Sequence, residues 1–524
     1  MKKTTAILFV LLALCLTAQV FATGSSQSSS SGPVTIELWY GPSMSEQPAP
    51  PADWKALQII RDKLNINLVL TALPSSTNDQ DVKVNAAAAS NTLPDLFMVG
   101  LQPFRNLVRT GQIAPVDDLY KLMPERTKLM HDADSIAYST INGKSYGFAI
   151  PGSIIKNEGL LIRKDWLDKL GLRVPTTTDE LFAVMQAFTT RDPDGNGRND
   201  TYGYGAFLEI FTISEGLGAR FDPIMGAWGV AGTWNLTKAG AGLNVRKPEY
   251  FDALSYVKRM VDEKVIDPNW LSYNKDDFRA AWKQGRFGIM REQNAAYAAE
   301  ANYTPFDNNF PNGQWIVIDP PKGPAGKQSA GVYTQGYRIY AVSKKAADAG
   351  KGPAIARLLE WMSSDEGYYL LGWGERGVNY VIGADGAPTA NGIPDSSKAW
   401  DKPPNVSLTQ LRNMVFFNGE KELLSRYPTY KAPKSGKEMS ALKVLFDMQS
   451  RPWTPNIGGD NLTQPNADLQ RFFEQGVVEF VTSTAGRQLT RANWNTWLSQ
   501  FDSRGGLQWE KDGIADATAK DLIK

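Results

Sequence analysis

From Val34 onward, short apolar runs alternate with stretches in which apolar residues recur every three or four positions. Val34 to Tyr40 (VTIELWY) predicts a strand, and Trp54 to Leu64 carries the spacing of an amphipathic helix. Asn67 to Leu73 predicts a second strand, the alanine-rich Asp81 to Ser90 a helix, and Asp95 to Val99 a third strand. This β-α-β-α-β rhythm implies a parallel sheet with helices on both faces. Ligands of such sheets sit beyond the carboxyl ends of the strands. Trp39, Tyr40 and the residues after Val99 are therefore a candidate binding edge.

The pattern then changes. Ser135 to Ile141 and Lys144 to Ile150 flank Asn142-Gly143, the sequence of a tight hairpin turn. Pro151-Gly152 breaks that unit, and a second pattern opens with the strand Leu160 to Arg163 and a helix from Asp165 to Leu170. Thr177 and Glu180 are spaced as a capping box for a helix Thr178 to Phe188. Pro248 opens another helix, with Phe251, Leu254, Val257 and Val261 on one face. Phe287 to Met290 and Gly336 to Val342 predict further strands, and Ala354 to Met362 a helix. Pro151-Gly152 and the Pro- and Gly-rich stretch Pro320 to Gly331 are the candidate crossings between two lobes.

The 524 residues carry 56 Lys and Arg against 55 Asp and Glu, a balance that gives no electrostatic basis for binding nucleic acid or an anionic membrane. One Cys and one His exclude a disulfide framework and a Cys/His zinc cluster. Lys2, Lys3 and the apolar run Ala6 to Leu16, followed by Val20-Phe21-Ala22, have the layout of a secretory signal peptide over residues 1–22. Its removal takes two lysines from the 56, leaving 54 against 55 acids, and takes Cys15 with it. Leu14 is bulky for a lipoprotein box, so lipidation of Cys15 is the minor alternative to a periplasmic protein. Residues 23–33, rich in Ser and Gly, are a flexible tether.

Asp192-Pro-Asp194-Gly-Asn196-Gly197-Arg198-Asn-Asp200 matches positions 1, 3, 5, 6 and 9 of a calcium loop. A hard cation takes about six to eight oxygens, and alternating residues aim side-chain oxygens inward. Asp192, Asp194, Asn196, Asp200 and the Arg198 carbonyl are the expected ligands of a structural calcium. Gly203 stands where the bidentate Glu of the full motif belongs.

Enzyme signatures are weaker. His131 precedes Gly143-Lys144-Ser145-Tyr146-Gly147, the reverse of the hydrolase order, and that G-x-S-x-G lies in a hairpin rather than between a strand and a helix. Ser153-Ile-Ile-Lys156, Ser272-Tyr-Asn274 and Lys434-Ser-Gly436 follow the order of a β-lactamase site, but Ser153 sits in a crossing instead of opening a buried helix. No catalytic residue is assigned. Carboxylate pairs for glycan hydrolysis remain open, because their separation is a tertiary fact. Flat rings suit the C–H faces of sugars. Trp39, Tyr40, Trp228, Trp234, Tyr333 and Trp373 are candidate stacking residues, with Arg291 to orient a carboxylate or hydroxyls.

Taken with these features, several motifs resemble the extracellular solute-binding proteins of ABC importers: Thr92-Leu-Pro-Asp95-Leu, Asn142-Gly-Lys-Ser-Tyr-Gly-Phe148, Ile162-Arg-Lys-Asp-Trp-Leu-Asp-Lys-Leu-Gly171, Gly285-Arg-Phe-Gly-Ile-Met290 and Ser364-Asp-Glu-Gly367. The loop after Phe188 is similar to that of the LipO-like and alginate-oligosaccharide-binding subgroup, in which it holds calcium. The resemblance implies an α/β, type II two-lobe fold with a hinge and extra C-terminal helices. On this division the first lobe is 34–150 plus 330–385. The second is 153–328 plus 395–524, with the calcium loop at 192–203. It also implies a non-enzymatic monomer that captures a small solute, an oligosaccharide by the aromatic content, for an ABC permease. A secreted glycan hydrolase and a binder of peptides or other small solutes are the alternatives.

Overall fold

A computed structural model describes residues 32–41, 50, 52–74, 77–125, 133–151, 157–208, 216–332, 336–384, 386–390, 392–394, 411–412, 414–415, 429–454, 457–459 and 462–523. The expected signal peptide, most of the expected tether, His131, Ser153, Lys156 and Tyr333 lie outside the described residues. Among the described residues no helix is long and apolar enough to cross a membrane.

Nine strands build two main sheets: β1 (Val34–Tyr40), β2 (Ile66–Ala72), β3 (Leu96–Val99), β4 (Gly147–Pro151), β5 (Glu158–Arg163), β6 (Tyr202–Gly205), β7 (Phe287–Gln293), β8 (Trp315–Ile318) and β9 (Gly336–Val342). The first sheet has the order β2-β1-β3-β9-β4, and the second β8-β5-β7-β6. As expected, β1 pairs in parallel with β2 and β3. β9, which joins this sheet from much later in the chain, runs antiparallel to both β3 and β4. Connectivity explains this. The chain leaves the first sheet at the carboxyl end of β4, and β9 re-enters at that same edge, so it runs back down. In the second sheet β5 is antiparallel to β7 and β8, and β6 is parallel to β7.

Each sheet is covered on both faces. Ile36, Leu38 and Tyr40 of β1 pack with Ile60, Ile355 and Leu359, while Phe97, Val99 and Ile339 pack on the opposite face with Val84 and Phe104. Leu411, Met414 and Val415 are also buried in the first of these cores. In the second sheet, Leu160, Ile162 and Ile289 face the helices Thr178–Thr190 and Pro248–Asp262. Leu161, Phe287 and Met290 face Phe278, Trp282 and Phe306. Three C-terminal helices, Ala467–Thr482, Arg491–Phe501 and Leu507–Ala519, close this lobe with aromatic contacts such as Trp494 on Trp497 at 4.8 Å.

Local signals were accurate where the chemistry is local. Thr177 and Glu180 form the capping box in both directions. Asn142 and Gly143 have φ of 50° and 75°, the left-handed pair an Asn-Gly turn requires. The hairpin is shorter than expected: Thr140–Ile141 pairs with Lys144–Ser145, and Ala133–Tyr138 is a helix. That helix buries Ser135, Ala137 and Tyr138, so tertiary packing overrides the strand-like composition.

Candidate functional site

Direction in the two sheets points to a candidate site. β4 ends where the chain leaves the first sheet, and β5 begins where it enters the second. The carboxyl ends of β1 to β4, and of β6 to β8, therefore all point toward the region between the lobes. Loops at such ends are where a solute is gripped.

Trp39 closes β1 on this edge, half-buried, with the Lys83 ammonium 4.8 Å from its ring centre. Trp373 is half-buried 6.4 Å from Tyr380, and its indole N–H has no partner among the described residues. Glu375, two residues on, pairs with Lys55 at 2.7 Å, at the start of the helix that follows β1. Trp228 is half-buried in the second lobe, 5.3 Å from Tyr256. These three rings keep an exposed part.

Three other candidates do not. Tyr40 is 1% exposed in the first lobe's core, because successive strand residues point to opposite faces and Trp39 takes the other one. Trp234 is 0% exposed and meets Trp509 edge-on at 5.7 Å. Arg291 is 3% exposed and fully engaged. It pairs with Glu158 at 3.1 Å and Asp222 at 2.7 Å, and it donates to the carbonyls of Gly331 at 2.8 Å and Ala219. Buried and held by these partners, the guanidinium is not presented to a solute.

Arg291 belongs to a buried network of alternating charge. Arg220 donates to the Arg291 carbonyl at 2.6 Å and lies 3.8 Å from Glu158 and 3.7 Å from Glu292; Arg279 pairs with Glu292 at 3.1 Å. Burial alone would raise the Glu158 carboxyl, but Arg220 and Arg291 hold it below the usual glutamate range. A carboxyl depressed in the folded state contributes stability that is complete above its unfolded value and lost as pH falls through the folded one. Unfolding free energy is therefore expected to stay level down to about pH 5 and then fall toward pH 3. Urea titrations across that range check it, and Glu158→Gln should flatten the acid limb.

Sequence inspection did not reach Arg105. Its Nη2 donates to the Leu462 carbonyl at 2.6 Å, joining the helix after β3 to a segment tied to the last helix by the Trp509 indole, which donates to the Thr463 carbonyl at 2.9 Å. Lys83 was equally silent, since its place over Trp39 is set by how its helix packs on the sheet.

The acidic loop follows the helix Thr178–Thr190. Asp192 accepts from the backbone N–H of Gly195, Asn196 and Gly197 at 3.0–3.1 Å. The Asn196 amide donates to Asp194 at 2.9 Å and Asp200 at 3.1 Å. A shared hydrogen bond with Asp194, helped by these N–H groups, lowers the Asp192 carboxyl; burial and the same shared bond raise Asp194. This all-oxygen donor set suits a hard cation. Among the described residues no three His, Cys, Asp or Glu side chains are clustered tightly enough to hold an ion as they stand. Packing explains the departure at Gly203, and Thr201, which follows Asp200, is also turned away from the loop. A Cβ on Gly203 would lie 2.5 Å from the Met185 Cα, which rules out Glu there, and the Thr201 hydroxyl turns back to the Phe188 carbonyl at 2.8 Å.

Residues 62–405 match the family described as bacterial extracellular solute-binding protein. The chain belongs to that family. It is 27% identical over 349 residues to the polygalacturonan/rhamnogalacturonan-binding protein YtcQ of Bacillus subtilis, covering 64% of this chain and 65% of YtcQ. Lipoprotein LipO of the same organism is 26% identical over 368 residues, covering 68% and 70%. Among solved structures, the Streptococcus pneumoniae ABC-transporter substrate-binding protein FusA in complex with kestose superposes with a TM-score of 0.64 at 18% identity, over 93% of this chain and 99% of that one. The alginate-binding protein AlgQ2 without calcium ion gives 0.65 at 15% identity, over 94% and 98%. This solute-binding protein thus has the two-lobe α/β fold, with β9, the strand that returns between lobes, inserted beside β4. YtcQ, FusA and AlgQ2 are binding proteins by name, and a FusA EF-hand mutant in complex with fructo-nystose is a further structural neighbour, with a TM-score of 0.64 at 18% identity.

Proposed function

We propose that this solute-binding protein captures an oligosaccharide between its lobes, without altering it, and delivers it to an ABC import permease. What supports this reading is the convergence of both sheets' carboxyl ends on one interlobe region; the half-buried rings of Trp39 and Trp373 on the first lobe and Trp228 on the second are the proposed stacking surfaces. Ligand favours closure only through contacts made in the closed state, so half-sites on both lobes are the needed arrangement. Residues 1–22 act as the export signal. The first lobe comprises the described residues of 34–151 and 336–394 with Leu411, Met414 and Val415, and the second those of 157–332 and 430–523, since these three side chains pack in the first core and Val332 bonds to Thr454 in the second lobe.

The acidic specificity of YtcQ and the neutral ligand of FusA make galacturonate and fructose oligomers the first probes. Trp39→Ala should weaken binding about tenfold in calorimetry, equivalent to about 1.4 kcal/mol. Unchanged affinity, together with scattering that shows no compaction at saturation, would sink the reading.

Asp192, Asp194, Asn196, Asp200 and the Arg198 carbonyl are the residues that would hold calcium, whose contribution is to tie the helix Thr178–Thr190 to β6. Calcium at about a hundred times its dissociation constant should add about 2.7 kcal/mol of stability. Because Asp194 is raised and shares a hydrogen bond with Asp192, a proton competes with the ion, and the gain should shrink as pH is lowered. Thermal melts with calcium and with EDTA check this, with Asp194→Ala as the variant that loses the difference.

A further inference from the structure

The buried network around Arg291 occupies a particular place in the chain. Glu158 is the first residue of β5, just after the first crossing out of the first lobe. Gly331 lies at the end of the second lobe's stretch before β9, and pairs in parallel with Thr454, on the chain's last passage through that lobe. Neither Glu158 nor β5 is a sheet neighbour of the Ala330–Gly331 strand. One side chain joins them. From β7, the Arg291 guanidinium reaches Glu158 at 3.1 Å and the Gly331 carbonyl at 2.8 Å, while Asp222 steadies it at 2.7 Å and accepts in turn from the Gly232 N–H at 2.8 Å. The Val332 N–H donates to the Thr454 carbonyl at 2.8 Å, and Ile457 packs against Gly331, where a Cβ would lie 1.9 Å from its Cδ1.

We propose that Arg291 is a positioning residue of the hinge: it pins the second-lobe roots of two of the three crossings, those before Glu158 and after Gly331, to one strand. This rests on the capture-by-closure reading. A rotation about a defined axis requires the bases of the moving segments to stay fixed while the dihedrals between them change. The planar, forked guanidinium can hold two roots at a set separation, and the single ammonium of lysine cannot. With the roots held, the lobes open and close along one path. With them released, the lobes splay over a range of arrangements. Arg279 provides the comparison, because it pairs with Glu292 in the same network and, among the described residues, bonds to neither Glu158 nor Gly331.

The test needs no solute. The chain's single cysteine is Cys15, so Asp62→Cys and Lys511→Cys in a Cys15→Ser background give one exposed spin label on each lobe. Pulsed dipolar spectroscopy should show one narrow interlobe distance distribution in this parent. Arg291→Lys, which keeps the charge, and Arg291→Met should each broaden it, whereas Arg279→Met should leave it narrow. A distribution unchanged by Arg291→Lys, or broadened equally by Arg279→Met, overturns the assignment. The capture reading fails separately: digalacturonate, kestose and longer oligomers would all leave the parent's distance unmoved.

Discussion

Trp234→Ala is expected to lower the unfolding free energy by about 3–5 kcal/mol while leaving solute affinity unchanged in the surviving folded protein. The indole is 0% exposed and is enclosed by residues far apart in the chain. Trp509 meets it at 5.7 Å, and Cβ atoms built on Gly459 and Gly513 would lie 2.3 and 2.2 Å from its ring. Those glycines bring backbone against both the near and far ends of the ring, so the surroundings cannot collapse into the space that truncation leaves. Gly513→Ala should destabilise as well, through overlap instead of a void. Denaturant titration measures both, and calorimetry on the folded fraction checks the affinity. A variant with parent stability and lost binding would return Trp234 to the solute site.

The second large effect is expected at Arg291. Arg291→Met removes one cation from a buried set of three arginines and three carboxylates, leaving Glu158 and Asp222 short of their partner. Breaking one member of a buried ion cluster costs about 3–5 kcal/mol, because the remaining charge stays desolvated and unpaired. Arg291→Met with Asp222→Asn should recover part of that loss, since the second change removes one of the stranded charges. Recovery in the double variant, read from denaturant midpoints, separates electrostatic loss from simple loss of packing. If neither variant shifts the midpoint, the network is not what holds the second lobe at its crossings.

Trp234 and Arg291 have side chains chemically suited to sugars, a tryptophan in a glycine-rich loop and an arginine after a strand, yet neither reaches a solute. Suitability is a property of the side chain, and availability is a property of its surroundings. Gly459 and Gly513 lie more than two hundred positions from Trp234, and Gly331 is forty residues from Arg291, so no local pattern announced their enclosure. For Tyr40 the correction was available earlier, since a strand's two-residue period prevents adjacent side chains from facing the same way.

By itself the sequence determined what depends on near neighbours. The strands and helices of both lobes follow from apolar spacing, the Thr177–Glu180 cap and the Asn142-Gly143 turn from local hydrogen bonding and backbone freedom, and the oxygen-rich loop from alternating side chains. These are interactions over a few residues, where composition and spacing are nearly the whole cause. Tertiary structure alone decided the reversed direction of β9, the helix at Ala133–Tyr138, the exclusion of a side chain at Gly203 by Met185, and which polar groups are spent inside the protein. Each of those depends on where the chain returns after a long excursion. Burial and pairing there are set by the geometry of the packed lobes, which no short stretch encodes.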